Sequence, residues 1–136
     1  MTSKPTLADI TSGFEFRPIL VDVSAERVQE YLGVLEATPL DSNARWVPSE
    51  AAITFALGAL LDQFDLPAGT VHTTQDVRVE RPLRLGAEII STASVSNRSH
   101  RGEMAVILLE ISLTTRRESN EVAMVGTSTL LIQEPS

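Results

Sequence analysis

The chain has 136 residues, the length of a single domain, and a formal net charge of −7 from 18 acidic and 11 basic side chains. This excess of negative charge opposes nucleic-acid binding, which depends on Lys and Arg to neutralise phosphates. The absence of cysteine excludes disulfides, a thiolate nucleophile and cysteine-ligated zinc. Neither histidine has metal-ligand spacing to another ligand, so we expect no metal site.

The N-terminal residues 1–13 are mainly polar and lack the apolar segment of a secretory signal. We therefore predict a flexible N-terminus over 1–13, one folded domain over 14–136, and a cytoplasmic protein. Residues 14–23 read as a first strand, in which Pro18 indicates a sheet edge or a bulge.

A first helix is predicted after Ser24, a residue type that caps helix N-termini. Apolar residues then recur with the spacing of one helix face: Val28, Tyr31, Leu32 and Leu35. The helix should end near Ala37, because the position before a proline disfavours helical backbone and Pro39 follows shortly.

Residues 47–64 form the most informative segment, since they read as a helix that is apolar on nearly every side. Such a helix is either buried or in a membrane. A span needs about 20 apolar residues, and this run is much shorter, so we expect a buried helix covered by other elements. Ser49 is a candidate cap for it, and Gly58 is expected to permit close packing against a sheet. Residues 66–69 should end it.

Strands are predicted at roughly 70–81, 87–98, 103–116 and 121–133. In the third of them, five successive odd positions are apolar and should face the core: Ala105, Ile107, Leu109, Ile111 and Leu113. Arg101-Gly102 and Glu118-Ser119-Asn120 are the predicted turns. The order β, α, α and a four-stranded meander indicates an α+β protein whose antiparallel sheet wraps around the central helix.

Four segments together resemble the MaoC-like hydratase/dehydratase group of the hotdog fold, and they span residues 29–132. The segments are QEYLGVLEATPL, VPSEAAITFALGALL, VHTTQDVRVERPLRLGAEI and VGTSTLLI. The resemblance implies an antiparallel sheet wrapped around a long central helix. It also implies a ligand that is an acyl thioester of coenzyme A or of a carrier protein, with no other cofactor.

The family's D-x-N-P-x-H motif, whose Asp and His activate the water that adds to an enoyl thioester, is altered here. Pro39 matches, while Glu36, Thr38 and Asp41 stand where Asp, Asn and His would be. The missing His is the base best suited to neutral pH. Glu36 and Asp41 would replace it only if burial or mutual repulsion kept one carboxyl protonated; otherwise they are a helix end and a loop carboxylate. The departure resembles the non-catalytic half of paired hotdog proteins.

Three further residues have both a functional and a structural interpretation. Glu50 could serve as the carboxylate that acts in some hotdog thioesterases, or simply favour the helix dipole. Ser49 could present its backbone N–H to a thioester carbonyl instead of capping the helix. His72 alternates with polar neighbours on its strand, which favours a solvated position over a functional one.

Trp46 and Arg81 are candidate ligand contacts. Trp46, the only tryptophan, lies in the loop before the central helix and could line a pocket mouth or an interface, or pack simply. Arg81 could meet coenzyme A phosphates, as could Arg78 and Arg84, although arginines at strand ends are usually solvated.

The sequence therefore favours a MaoC-like acyl-thioester-binding protein, the non-catalytic partner of an enoyl-CoA hydratase or 3-hydroxyacyl dehydratase. The expected assembly is a homodimer or a heterodimer with a catalytic hotdog subunit, without nucleic-acid or membrane partners. Two alternatives stay open: an independent acyl-CoA thioesterase that uses Glu50 or Asp41, and a non-enzymatic homodimer that binds an acyl or aromatic small molecule.

Overall fold

In the computed structural model one strand is followed by two helices and then by four strands, so the long helix precedes most of the sheet. The structure describes residues 6–66, 69–115 and 121–133. The elements are β1 (Ile19–Val21), α1 (Ala25–Val34), α2 (Ser49–Leu61), β2 (Val71–Val79), β3 (Ile89–Arg101), β4 (Met104–Thr115) and β5 (Val122–Gln133). A short 3-10 helix, Leu7–Asp9, precedes them.

The sheet has the strand order β1-β3-β4-β5-β2, and every neighbouring pair is antiparallel. The predicted antiparallel sheet is confirmed, but the four-stranded meander is wrong, because β2 pairs with β5 and not with β3. The chain after β2 does not turn back as a hairpin. Instead the segment between β2 and β3 pairs with the segment before α2: Leu83 in it is fully buried, and its carbonyl oxygen accepts a hydrogen bond from Val47 N. As a result, β2 becomes an edge of the sheet.

Helix α2 packs on the inner face of this sheet. The odd positions of β4 supply much of that face, and all five predicted inward residues are fully buried, which confirms their assignment. On the helix the buried residues are Ala51, Ala52, Ile53, Phe55, Ala56, Leu57 and Leu60. Burying each large apolar side chain contributes about 1.5–3 kcal/mol. Within the described ranges, no helix has both the length and the apolar character needed to cross a membrane.

A close approach between α2 and the sheet occurs at Gly126 in β5, and the prediction that Gly58 permits such packing is wrong. A Cβ at Gly126 would lie 2.8 Å from the Cδ1 and Cγ2 atoms of Ile53. A Cβ at Gly58 would meet no atom within 4 Å. Glycine is therefore required on the strand, where the backbone itself must pass beneath a branched helix side chain.

One side of α2 is open to solvent, contrary to the expectation that the helix is covered all round. Glu50, Thr54 and Gly58 are exposed and four residues apart, so they line up along the helix. We call these three residues the α2 stripe. The stripe lies beside the edge strand, since Gln75 Nε2 donates a hydrogen bond of 3.4 Å to Thr54 Oγ1.

The predicted cap of α1 is confirmed, whereas that of α2 is wrong. Ser24 Oγ accepts a hydrogen bond of 3.3 Å from Arg27 N. Helix α2 has Pro48 at its cap position without a side-chain cap hydrogen bond, and Ser49 is its first helical residue. Proline removes one of the four N–H groups that have no partner within a helix at its N-terminus. Both helices end about three residues earlier than predicted.

Residues 6–13 do not form the loose segment that their polarity suggests. Leu7 is fully buried, Ile10 is nearly so, and Leu7 N donates a hydrogen bond of 3.1 Å to Asp65 O. Two apolar side chains among polar neighbours are enough to tie the segment to the core. Residues 1–5 lie outside the described residues, as do the predicted turn at 118–120 and residues 67–68 of the segment after α2. The predicted strand over 14–23 is reduced to β1.

The two glycines near α2 give opposite predictions. Gly126→Ala should lower the free energy of unfolding by about 1–3 kcal/mol, because its methyl group would overlap the side chain of Ile53. Gly58→Ala should raise it by up to about 1 kcal/mol, since alanine is the better helix former and the site is open. Urea unfolding at equal protein concentration measures both, and a similar effect from the two substitutions would contradict this packing.

Candidate functional site

Glu36, the first position of the altered motif, lies in a strained backbone conformation at the end of α1. Its φ is +55°, and the other described residues with positive φ are glycines. Ala37 N donates to Leu32 O and Glu36 N to Gly33 O, which is the Schellman arrangement in which glycine normally occupies the left-handed position. An acidic side chain is also unfavourable beside the negative end of the helix dipole. Both the backbone conformation of Glu36 and its exposed negative charge therefore destabilise the end of α1.

The motif loop, residues 36–41, is held against α1 by Gln29. The side chain of Gln29 donates to Leu40 O at 3.2 Å and accepts from Leu40 N at 3.0 Å. These two hydrogen bonds fix the loop as a backbone partner fixes a strand, although the loop itself has no regular structure.

Asp41 has a local structural role. Its Oδ1 accepts hydrogen bonds from Ser42 Oγ at 3.3 Å and Asn43 N at 3.4 Å, an Asx turn. Thr38, Pro39 and Glu36 are exposed, as is Asp41 itself, and within the described ranges no hydrogen bond joins the two carboxylates. The two carboxylates are therefore exposed and are not joined in the paired, buried arrangement typical of acid–base catalysis.

The other candidates on α2 and β2 face solvent. Glu50 is exposed in the first turn of α2, directly after Ser49. His72 is exposed on the edge strand, with Nε2 lying 2.9 Å from Thr74 O. Its face is polar and solvated along the strand, as its alternation predicts, and Arg78 and Glu80 form an exposed ion pair of 2.7 Å there.

A cleft of about 860 Å³ brings Trp46 and Arg81 together. This volume lies within the range of small-molecule sites, about 300–1,000 Å³. We call it the Trp–Arg cleft, and its lining includes Trp46, Arg81, Pro82, Arg84, Leu85 and Glu88. It therefore contains three of the predicted ligand contacts, Trp46, Arg81 and Arg84, whereas the altered-motif residues, Ser49, Glu50 and His72 do not line it.

The cleft is built by a short antiparallel pairing of residues 45–47 with 83–85. Val47 N donates to Leu83 O and Leu85 N donates to Arg45 O, each at 2.8 Å. Val47 and Leu83 are buried, and because side chains alternate along extended chain, Trp46 and Arg84 project together to the other side. The Arg84 guanidinium carbon lies 5.8 Å from the centroid of the Trp46 ring.

The pairing of Arg84 with Trp46 is the feature that sequence reasoning missed. Arg84 stood in the sequence as one of several arginines near strand ends. The local signal is that a buried residue is adjacent to each of them in the sequence, Val47 beside Trp46 and Leu83 beside Arg84. This pattern indicates a face, but not which distant segment shares it.

The fold is shared with solved structures of low sequence identity. A monoamine oxidase regulatory protein from Archaeoglobus fulgidus superposes with a TM-score of 0.76 at 17% identity, over 100% of this chain and 99% of that one. A MaoC-like dehydratase from Rhodospirillum rubrum gives 0.68 at 18% identity, over 96% and 99%. The HadBC 3R-hydroxyacyl-ACP dehydratase complex from Mycobacterium tuberculosis gives 0.68 at 16% identity, over 92% and 99%.

These similarities confirm the predicted α+β hotdog fold, with the sheet packed around α2. MaoC-like dehydratases and hydratases are among the structural neighbours, in agreement with the resemblance seen in the sequence. No protein-family model matches the sequence, and no curated protein matches it. At identities below 25%, the likeness establishes the fold alone.

The strain at the motif loop predicts that a substitution there stabilises the protein. Glu36→Gly should raise the free energy of unfolding by about 1 kcal/mol, because glycine adopts a left-handed conformation without steric cost. The matched control is Glu30→Gly, which removes the same charge from an exposed position inside α1 and should lower stability by about 0.5–1 kcal/mol. Thermal or urea unfolding distinguishes the two, and destabilisation by Glu36→Gly would show that its carboxylate has a structural partner.

Proposed function

We propose that this chain is a MaoC-like protein that binds acyl thioesters of coenzyme A or a carrier protein, as the non-catalytic partner of an enoyl-CoA hydratase or 3-hydroxyacyl dehydratase. The observation that carries the proposal is a hotdog fold, shared with hydratases and dehydratases, in which the motif loop has no histidine and both of its carboxylate residues, Glu36 and Asp41, are exposed. The fold is retained where the chemistry of the motif is lost.

The chemistry of hydration supports a binding role. Adding water to an enoyl thioester requires a base that removes a proton from water near neutral pH. Asp41 accepts two hydrogen bonds within its own turn, and Glu36 is in solvent at the end of α1. Neither carboxylate has the desolvated surroundings in which such groups become effective acids or bases.

The edge strand β2 and the α2 stripe support pairing with a second hotdog subunit. Only one side of β2 is paired within the described part of the sheet. At its two ends, Val71 and Val79 are each nearly half exposed. An open edge of this kind is a template for another strand, and a second helix can pack on the small residues of the stripe. One similar structure, that of HadBC, is described as a complex.

The assembly predicts a difference between two exposed glycines. The wild-type chain should have twice its monomer mass of 14.8 kDa by light scattering. Gly58→Arg should give the monomer mass, because it places a long charged side chain on the α2 stripe. Gly33→Arg is the matched control, since Gly33 is also an exposed helical glycine with open space around it, but on α1. Retention of the dimer by Gly58→Arg would exclude the stripe from the interface.

The proposed role is tested by hydration of crotonyl-CoA. The purified chain alone should show no turnover, because the motif loop supplies no base. Mixing it with a hotdog subunit that carries an intact D-x-N-P-x-H motif should produce or increase turnover, and Gly58→Arg should remove that increase. Turnover by the chain alone would contradict the non-catalytic role. Failure to bind any such subunit would also contradict the proposed role as a partner subunit.

A second candidate function, thioester hydrolysis, is favoured by the position of Glu50 at the open start of the α2 stripe. In that case acyl-CoA would be hydrolysed by the chain alone, and Glu50→Gln would abolish hydrolysis. Asp62→Asn, a change at the exposed C-terminal end of the same helix, is the matched control. A non-enzymatic homodimer would show neither hydration nor hydrolysis.

Cytoplasmic localisation stays a prediction.

A further inference from the structure

The Trp–Arg cleft presents an aromatic ring and a cation side by side on a fixed backbone. Trp46 is 49% exposed, so much of its indole is available for contact. Two backbone hydrogen bonds and the buried side chains of Val47 and Leu83 hold the segments that carry Trp46 and Arg84. A ligand that used both side chains would find them already in place, which lowers the entropic cost of binding.

The charges in the cleft favour an anionic ligand at Arg84. Arg81 is paired with Glu121, whereas Arg84 has no ion pair with any described carboxylate. The lining also includes the carboxylate-bearing residue Glu88. The Arg84 guanidinium carbon lies 5.8 Å from the centroid of the Trp46 ring, near the outer limit of a cation–π contact, and a guanidinium stacked on a ring keeps its in-plane N–H donors. Its planar donors therefore remain available to a phosphate, which guanidinium groups bind in a bidentate manner.

The ring and the cation together specify the chemistry of the ligand. An exposed indole binds flat aromatic rings by stacking, and nucleobases stack well because each has a π face. The pantetheine arm of a thioester has neither a ring nor a charge. A carrier protein supplies that arm and a phosphate, but no base. Only coenzyme A joins an aromatic base and phosphates to the thioester arm, and about 860 Å³ accommodates a nucleotide.

We infer that the Trp–Arg cleft binds the phosphorylated adenosine of coenzyme A, with the adenine stacked on Trp46 and a phosphate paired with Arg84. The inference rests on the proposed function and selects coenzyme A over a carrier protein as the donor of the acyl group. The cleft also lies near the start of the central helix in sequence, because Trp46 precedes Ser49, the first residue of α2, by three positions.

The single tryptophan makes the experiment specific to this cleft. Because Trp46 is the chain's only tryptophan, its fluorescence reports on the proposed site and on no other indole. Titration with adenosine 3′,5′-bisphosphate, the nucleotide end of coenzyme A, should quench it, and so should coenzyme A. Three probes should quench little at the same concentrations. Pantetheine lacks both the aromatic ring and the anion, inorganic phosphate lacks the ring, and adenosine lacks the anion. Quenching should weaken as salt increases.

Arg84→Gln should weaken binding of adenosine 3′,5′-bisphosphate by roughly tenfold or more, since it removes a charge-assisted hydrogen-bond donor pair. Arg101→Gln is the matched control. It removes the same charge from an exposed position at the last residue of β3, at the opposite end of these strands from Thr115 in the cleft. The control should bind as the wild-type chain does. Equal affinity of the wild-type chain and Arg84→Gln would overturn the inference.

Calorimetry with acyl-CoA and the matching acyl-pantetheine separates this inference from the proposed function. If both thioesters bind equally and adenosine 3′,5′-bisphosphate does not bind, the nucleotide site is overturned while acyl-thioester binding stands. If the bisphosphate binds and an acyl group adds no affinity, the nucleotide site stands and the proposed function fails. If acyl-CoA binds at least tenfold more tightly than acyl-pantetheine, and Arg84→Gln removes the difference, both are supported.

Discussion

The contact between Ile53 and the backbone of β5 at Gly126 determines how the central helix lies on its sheet. No side chain separates the two, so α2 descends onto the sheet until its branched side chain meets the strand. This depth buries most of the helix and leaves one row of small or polar residues exposed. The same contact therefore stabilises the core and creates the open stripe beside the edge strand. Interiors are close-packed, so even one added methyl group would be felt there.

The topology of the sheet relates this packing to the proposed function. Since β2 pairs with β5 at the end of the strand order, its other side is open, and it lies next to the open side of α2. A hotdog subunit that pairs along this edge would extend the sheet and cover the stripe together. The motif loop lies apart from this surface in sequence. It follows the end of α1 and is held by two hydrogen bonds with Gln29 within that helix. Its backbone is fixed by these hydrogen bonds, while the side chains of Glu36 and Asp41 are exposed.

The Trp–Arg cleft depends on the same connection that makes β2 an edge strand. The chain after β2 pairs with the segment before α2 instead of turning into β3, and this pairing places Arg84 beside Trp46. A single topological feature therefore produces both the open edge and the cleft. The two surfaces have different chemistry: the edge offers backbone groups and small side chains, whereas the cleft offers an indole and a guanidinium. They suit a protein partner and a charged aromatic ligand respectively.

The sequence alone determined the features that depend on local periodicity and on residue type. The apolar run of α2 and the alternation along β4 predicted a helix packed on a sheet, and the absence of histidine from residues 36–41 was plain. Only the tertiary structure decided that β2 pairs with β5, that Gly126 and not Gly58 permits the close approach, and that Trp46 faces Arg84. The physical reason is that periodicity fixes which face of an element is buried. The element that covers this face is selected by packing among residues far apart in the chain, where many arrangements satisfy the same local pattern.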